Sequence, residues 1–78
     1  MLEVKQANYL SDFKIEIMFN TGEKKVVDLA NSLVGSVFQP LKDLNVFKSF
    51  KINFNTIEWE NGADFAPEYL YEVGKTVK

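Results

Sequence analysis

The stretch Phe13-Lys14-Ile15-Glu16-Ile17-Met18-Phe19 alternates strictly, with Phe13, Ile15, Ile17 and Phe19 on one side and Lys14, Glu16 and Met18 on the other. Successive side chains of an extended chain point to opposite faces, so the pattern predicts a strand with one face in a core and the other in water, as in an antiparallel sheet. Downstream, Asn20-Thr21-Gly22-Glu23 supplies a turn, because glycine takes up positive φ without steric cost. Lys24 to Leu29 then returns as the paired strand. Upstream, Leu2 to Tyr9 reads as a third strand with its turn at Ser11-Asp12. The first half of the chain is therefore expected to be a three-stranded meander.

The second half switches pattern. Asp28 precedes Leu29-Ala30-Asn31-Ser32-Leu33, where its carboxylate can accept backbone N–H groups at the start of a short helical turn that Gly35 ends. Ser36 to Lys42 contains Pro40, one of two prolines, and reads as a loop or a single turn. Asp43 is a second helix cap, followed by Leu44, Phe47 and Lys48 at helical spacing. Phe50, Ile52 and Phe54 alternate with Lys51 and Asn53, Asn55-Thr56 breaks the run, and Ile57-Glu58-Trp59 alternates again, which predicts a second hairpin. Asn61-Gly62 ends that strand and hands the chain to a final helix from about Pro67 to Val73. Pro67 suits the first helical position and Glu68 the positive end of the helix dipole. Leu70, Val73 and Tyr69 are expected to face the sheet, Gly74 to stop the helix, and Lys75 and Lys78 to form a solvated tail. The order of elements gives an α+β fold, an antiparallel sheet with helices packed on one side, in a single domain over residues 1–78.

Composition narrows the chemistry. Among 78 residues there are seven Phe, three Tyr and one Trp, enough bulk for a domain this small to fold without disulfides or metal. Cysteine is absent, which removes disulfides, thiolate metal sites and cysteine nucleophiles and fits a reducing compartment, with the cytoplasm as the expected location. Histidine is absent too, and with it the most common general acid/base and metal ligand. All nine cations are lysines against eleven carboxylates, a balance unsuited to phosphate neutralisation or to the arginine reading of guanine, so direct nucleic-acid binding is not expected. No apolar run spans a bilayer, and the N-terminal Met1-Leu2-Glu3-Val4-Lys5 lacks a signal-peptide pattern, so the chain is expected to be neither membrane-spanning nor secreted.

Three candidate sites stand beside plainer readings. Asp64 and Glu68 could pair for acid/base work or for a hard cation such as magnesium; alternatively, they cap and polarise the last helix. Trp59, with Tyr69 and Tyr71, could present an aromatic patch, but a chain this short is expected to spend its largest side chain on the core. Lys24-Lys25 could touch a phosphate, although lysines on a solvated strand edge more commonly guard it against association. No catalytic triad, phosphate-binding loop or metal-spaced cluster appears, so neither an enzyme nor a cofactor is expected.

Taken together, these residues resemble the family known as domain of unknown function 2442. The resemblance covers roughly Val4 to Glu72 and rests on the Gly22 turn, Asp28-Leu29, Gly35, Phe38, Pro40-Leu41 and Asp43. Its most specific part is the run of Trp59, Asn61, Gly62, Ala63, Asp64, Pro67, Glu68, Leu70 and Tyr71, a W-x-N-G-x-D-x-x-P-E-x-L-Y pattern. Leu44 and Glu60 stand where many members have proline, which loosens the expectation of identical loops. The resemblance implies a small bacterial α+β domain, found alone or ahead of a helix-turn-helix segment, often encoded beside another small protein in arrangements like toxin–antitoxin pairs. It implies no catalytic residues.

The leading expectation is thus a non-catalytic protein-interaction or regulatory module, the antitoxin-like member of an operon pair. Its partner is a neighbour-encoded small protein or a second copy in a homodimer, with Trp59, Asn61, Gly62, Asp64, Pro67, Glu68 and Tyr71 as candidate contacts. The alternative is a small-molecule sensor with a pocket between sheet and last helix around Trp59, Asp64 and Tyr71.

Overall fold

A computed structural model describes residues 1–77. Its strands are β1 (Val4–Ser11), β2 (Lys14–Phe19), β3 (Lys24–Asp28), β4 (Lys51–Asn53), β5 (Thr56–Glu58) and β6 (Lys75–Thr76), with helices α1 (Leu44–Phe47) and α2 (Pro67–Val73). Two 3₁₀ segments, Ala30–Ser32 and Ser36–Lys42, fill the connection between β3 and α1. The main sheet has the order β1-β2-β3-β6, all antiparallel, and β4 and β5 form a separate ladder. This is the expected α+β fold, with its meander extended by a fourth strand.

The alternation that decides the fold is realised in β2. Ile15, Ile17 and Phe19 are buried, whereas Lys14, Glu16 and Met18 are not. Val27 on β3 pairs with Ile15 in the same layer, and Leu70 of α2, Phe47 of α1 and Trp59 complete the core over that face. Two turns obey one local rule. In Phe19-Asn20-Thr21-Gly22-Glu23 and in Trp59-Glu60-Asn61-Gly62-Ala63, the glycine N–H donates to the aromatic residue's carbonyl at 2.9 Å, and that residue's N–H donates to the residue after the glycine, also at 2.9 Å. Both glycines have φ of 89°, the positive value that closes such a turn. The second turn does more than lead to the helix, because it folds the chain back until Glu58 bridges Asp64.

Both aspartates accept a main-chain N–H as expected, Asp43 as the cap of α1 and Asp28 from one residue before the Leu29 cap position. The Asp28 carboxylate accepts the Ala30 N–H at 3.0 Å, and that of Asp43 accepts the Asn45 N–H at 2.9 Å. Pro67 opens α2, and Glu68 lies in its first turn.

Five expectations need correction. Ser36–Lys42 is a seven-residue 3₁₀ helix rather than a loop or single turn, since Pro40 forfeits only one N–H there. Lys75 lies in β6, paired with Val26, rather than in a solvated tail; Lys78 lies outside the described residues. Because β6 covers β3, Lys24-Lys25 does not guard an open edge. On α2 it is Tyr71, with Leu70, that turns to the sheet, while Tyr69 and Val73 remain exposed. Finally, the second hairpin turns at Phe54-Asn55, one residue earlier than the break expected at Asn55-Thr56, so Phe54 leaves the alternation.

Candidate functional site

The motif residues from Trp59 to Tyr71 build a frame around the second half of the chain. Trp59 is 2% exposed, its ring meets Phe47, Phe50 and Phe65, and its indole N–H donates to the Phe47 carbonyl at 2.9 Å. Asn61 ties its own turn, its side-chain oxygen accepting the Ala63 N–H at 3.1 Å, to the 3₁₀ segment, its amide donating to the Val37 carbonyl at 2.8 Å. Gly62 supplies the positive φ between them. The buried Thr56 hydroxyl donates to the Phe65 carbonyl and fixes the approach to α2.

Asp64 is exposed and does not cap α2, whose cap residue is Ala66 with no side-chain hydrogen bond. Asp64 and Glu68 remain on the surface, and among the described residues no group of three or more acidic side chains could hold a metal ion. Trp59 is in the core, as the plainer reading expected, so its ring offers no patch to solvent.

Tyr71 belongs to a different neighbourhood. Its ring packs edge-on against Phe19, with centroids 5.3 Å apart, and its hydroxyl donates to both oxygens of Glu23, at 2.8 and 2.9 Å. Lys25 closes the arrangement, its ammonium 3.6 Å from the Tyr71 ring centre and donating to the Tyr71 main-chain carbonyl at 2.8 Å. The hydrogen bond to Glu23, followed by burial and the glutamate's charge, pushes the Tyr71 phenol above its ordinary pKa. A raised folded-state pKa contributes stability that is complete below the ordinary tyrosine range and is lost as pH rises through the raised value. Chemical denaturation at neutral and alkaline pH should therefore show a smaller alkaline loss for Tyr71→Phe than for the wild type; equal losses would mean the clasp adds nothing. At the β1 edge of the sheet, the Lys5 ammonium, 2.9 Å from Glu3, holds that carboxyl below its usual range by hydrogen bond and charge.

Two shallow grooves mark the surface. One, of about 360 Å³, is lined by Lys51, Ile52, Asn53, Glu58, Trp59, Glu60 and Gly62. The other, of about 310 Å³, is lined by Lys14, Val26, Asp28, Val73 and Lys75. Neither groove joins Trp59 to Asp64 and Tyr71.

Sequence reasoning missed the β4–β5 tip. Phe54 is 85% exposed and Ile52 43%, next to Lys51 and Asn53. Phe54 and Asn55 have φ of 50° and 68°, as a two-residue hairpin turn requires. Asparagine tolerates that region, whereas a bulky phenylalanine there is an outlier. The signal was present: Asn55 at a turn centre places Phe54 in the turn as well.

Among the described residues, no helix is long and apolar enough to cross a membrane. Neither a search of curated proteins nor a search of solved structures returns a match. A family model does match, over residues 4–76, which is nearly the whole chain. The chain therefore belongs to the family described as protein of unknown function (DUF2442).

Proposed function

We propose that the domain is a non-catalytic protein-interaction module whose contact surface is the tip and outer strand of the β4–β5 hairpin. One observation carries the reading: Phe54, the most exposed aromatic side chain of the domain, is held at a positive φ. An aromatic ring in water gives up the burial it would gain in a core, and its left-handed backbone adds a cost of about 1–2 kcal/mol. Rings of this kind serve as anchors at protein interfaces, where burial against a partner recovers what the free fold forgoes. The finer form of the proposal, an antitoxin-like regulator in a bacterial operon pair, working in the cytoplasm, rests on the resemblance alone.

One substitution tests the reading, because function and stability should move in opposite directions. Phe54→Asn is expected to stabilise the isolated fold by about 1 kcal/mol, since asparagine accepts the left-handed region. The same variant should fail to retain the protein that co-elutes stoichiometrically with the tagged wild type. Urea denaturation and affinity capture with mass spectrometry read the two effects. Equal retention by wild type and variant would remove the hairpin tip from the interaction.

A further inference from the structure

The segment Phe50-Lys51-Ile52-Asn53-Phe54 is nearly a palindrome about Ile52, with phenylalanine at both ends. β4 pairs only with β5, through Lys51↔Glu58, Ile52↔Ile57 and Asn53↔Thr56. In a hairpin with a two-residue turn, the closing pair exchanges both backbone hydrogen bonds and the next pair exchanges none. Asn53 and Thr56 close the turn, so the N–H and C=O of Ile52 point away from β5. Among the described residues, no backbone partner meets them there.

We propose that β4 pairs antiparallel with β4 of a second copy, about a two-fold axis through Ile52, to join the two hairpins into one four-stranded ladder. The proposal rests on the interaction-module reading and names its partner. A two-fold contact requires a surface complementary to itself, and the palindrome provides one. Ile52 falls opposite Ile52 of the second copy, and Lys51 falls opposite Asn53. Phe54, leaving the strand at the turn, reaches toward the half-buried Phe50 across the axis. β-branched and aromatic cross-strand pairs of this kind are those that stabilise sheets.

Charge fixes the register. Asn53 donates its amide to Glu58 at 3.0 Å, which leaves its side-chain oxygen free to accept from the incoming Lys51, with the Glu58 carboxylate as countercharge. The axis creates two such contacts. Centring the pairing on Lys51 instead would oppose two lysines, and a slip of one residue would turn the apolar side chains to the other face.

The other edges of the fold are blunted. β1 carries irregularities between Val4 and Gln6 and between Tyr9 and Ser11, with Lys5 inside the first, and β6 is two residues long. β4 is short as well, so the dimer should dissociate on dilution.

The test combines sedimentation with amide exchange at Ile52 over a dilution series of the full chain. The wild type is expected to pass from monomer to dimer as concentration rises, with exchange at the Ile52 N–H slowing in parallel. Ile52→Pro deletes only an outward N–H, which an edge strand tolerates, so this variant should keep its circular dichroism and remain monomeric. Asn53→Lys should weaken the dimer by opposing lysines. A wild type that stays monomeric up to millimolar concentration overturns the proposal, as does a dimer whose Ile52 amide exchanges at the monomer rate. A monomer that still captures a different chain through Phe54 overturns self-pairing and leaves the interaction module standing.

Discussion

Replacing Trp59 with alanine is expected to cost about 3–5 kcal/mol, the usual range for truncating a buried large aromatic. For a chain of 78 residues, total stability is on the order of 4–12 kcal/mol, so the variant should lose a large fraction of it and, at the lower end of that range, unfold. The reason is where the ring lies. It touches Phe47 from α1, Phe50 from the entry to β4, and Phe65 from the approach to α2, so the cavity would open at the junction of three segments. Truncation also strips the Phe47 carbonyl of its indole donor. Trp59→Phe separates the two losses: it keeps most of the ring and leaves the carbonyl unpaired, at about 1–3 kcal/mol. Urea titration followed by far-UV circular dichroism reads both variants. An alanine variant within 1 kcal/mol of the wild type would show that the ring is not the keystone of this packing.

The packing around Trp59 illustrates which features can be read from a chain like this one. Local rules were legible because they need only neighbours: the alternation of Ile15, Ile17 and Phe19, the main-chain N–H groups bound by Asp28 and Asp43, Pro67 at the start of α2, and Gly22 and Gly62 in their turns. What the sequence concealed depends on distant residues. Lys25 looks like an edge lysine until Tyr71, 46 positions away, supplies both a carbonyl and a ring for its ammonium. β6 has two residues and no periodicity, so it exists only because β3 lies beside it. For the site, the motif residues were legible as a pattern and Trp59 as core, but the separate neighbourhood of Tyr71 is a tertiary fact. Phe54 was obscured by its own context, because Phe50 and Ile52 extend a strand alternation that the turn interrupts one residue earlier.

Gly74 yields the second large effect, and here the sign of the result decides the cause. The residue ends α2 with φ −74° and ψ 155°, an extended conformation open to any amino acid. If backbone freedom were all that mattered, Gly74→Ala would stabilise the fold by about 0.4–1 kcal/mol through a less disordered unfolded state. Space argues the opposite. A Cβ at this position would lie 2.9 Å from the Leu70 carbonyl oxygen, 2.9 Å from the Lys25 Cβ and 3.1 Å from a Val27 methyl. None of the three can yield cheaply. The Leu70 carbonyl accepts the Gly74 N–H at 3.0 Å, Val27 is fully buried, and Lys25 is held by Tyr71. Relief would have to come from lifting the end of α2 off β3, which also pulls Tyr71 from Glu23 and loosens β6. Gly74→Ala is therefore expected to destabilise by about 1–3 kcal/mol, as overpacking does. The Val77 amide, which donates to the Lys24 carbonyl at 3.0 Å, should lose its exchange protection first. A gain in stability on urea denaturation would instead mean that α2 can stand further from β3, and that Gly74 ends the helix without being needed for its close approach to the sheet.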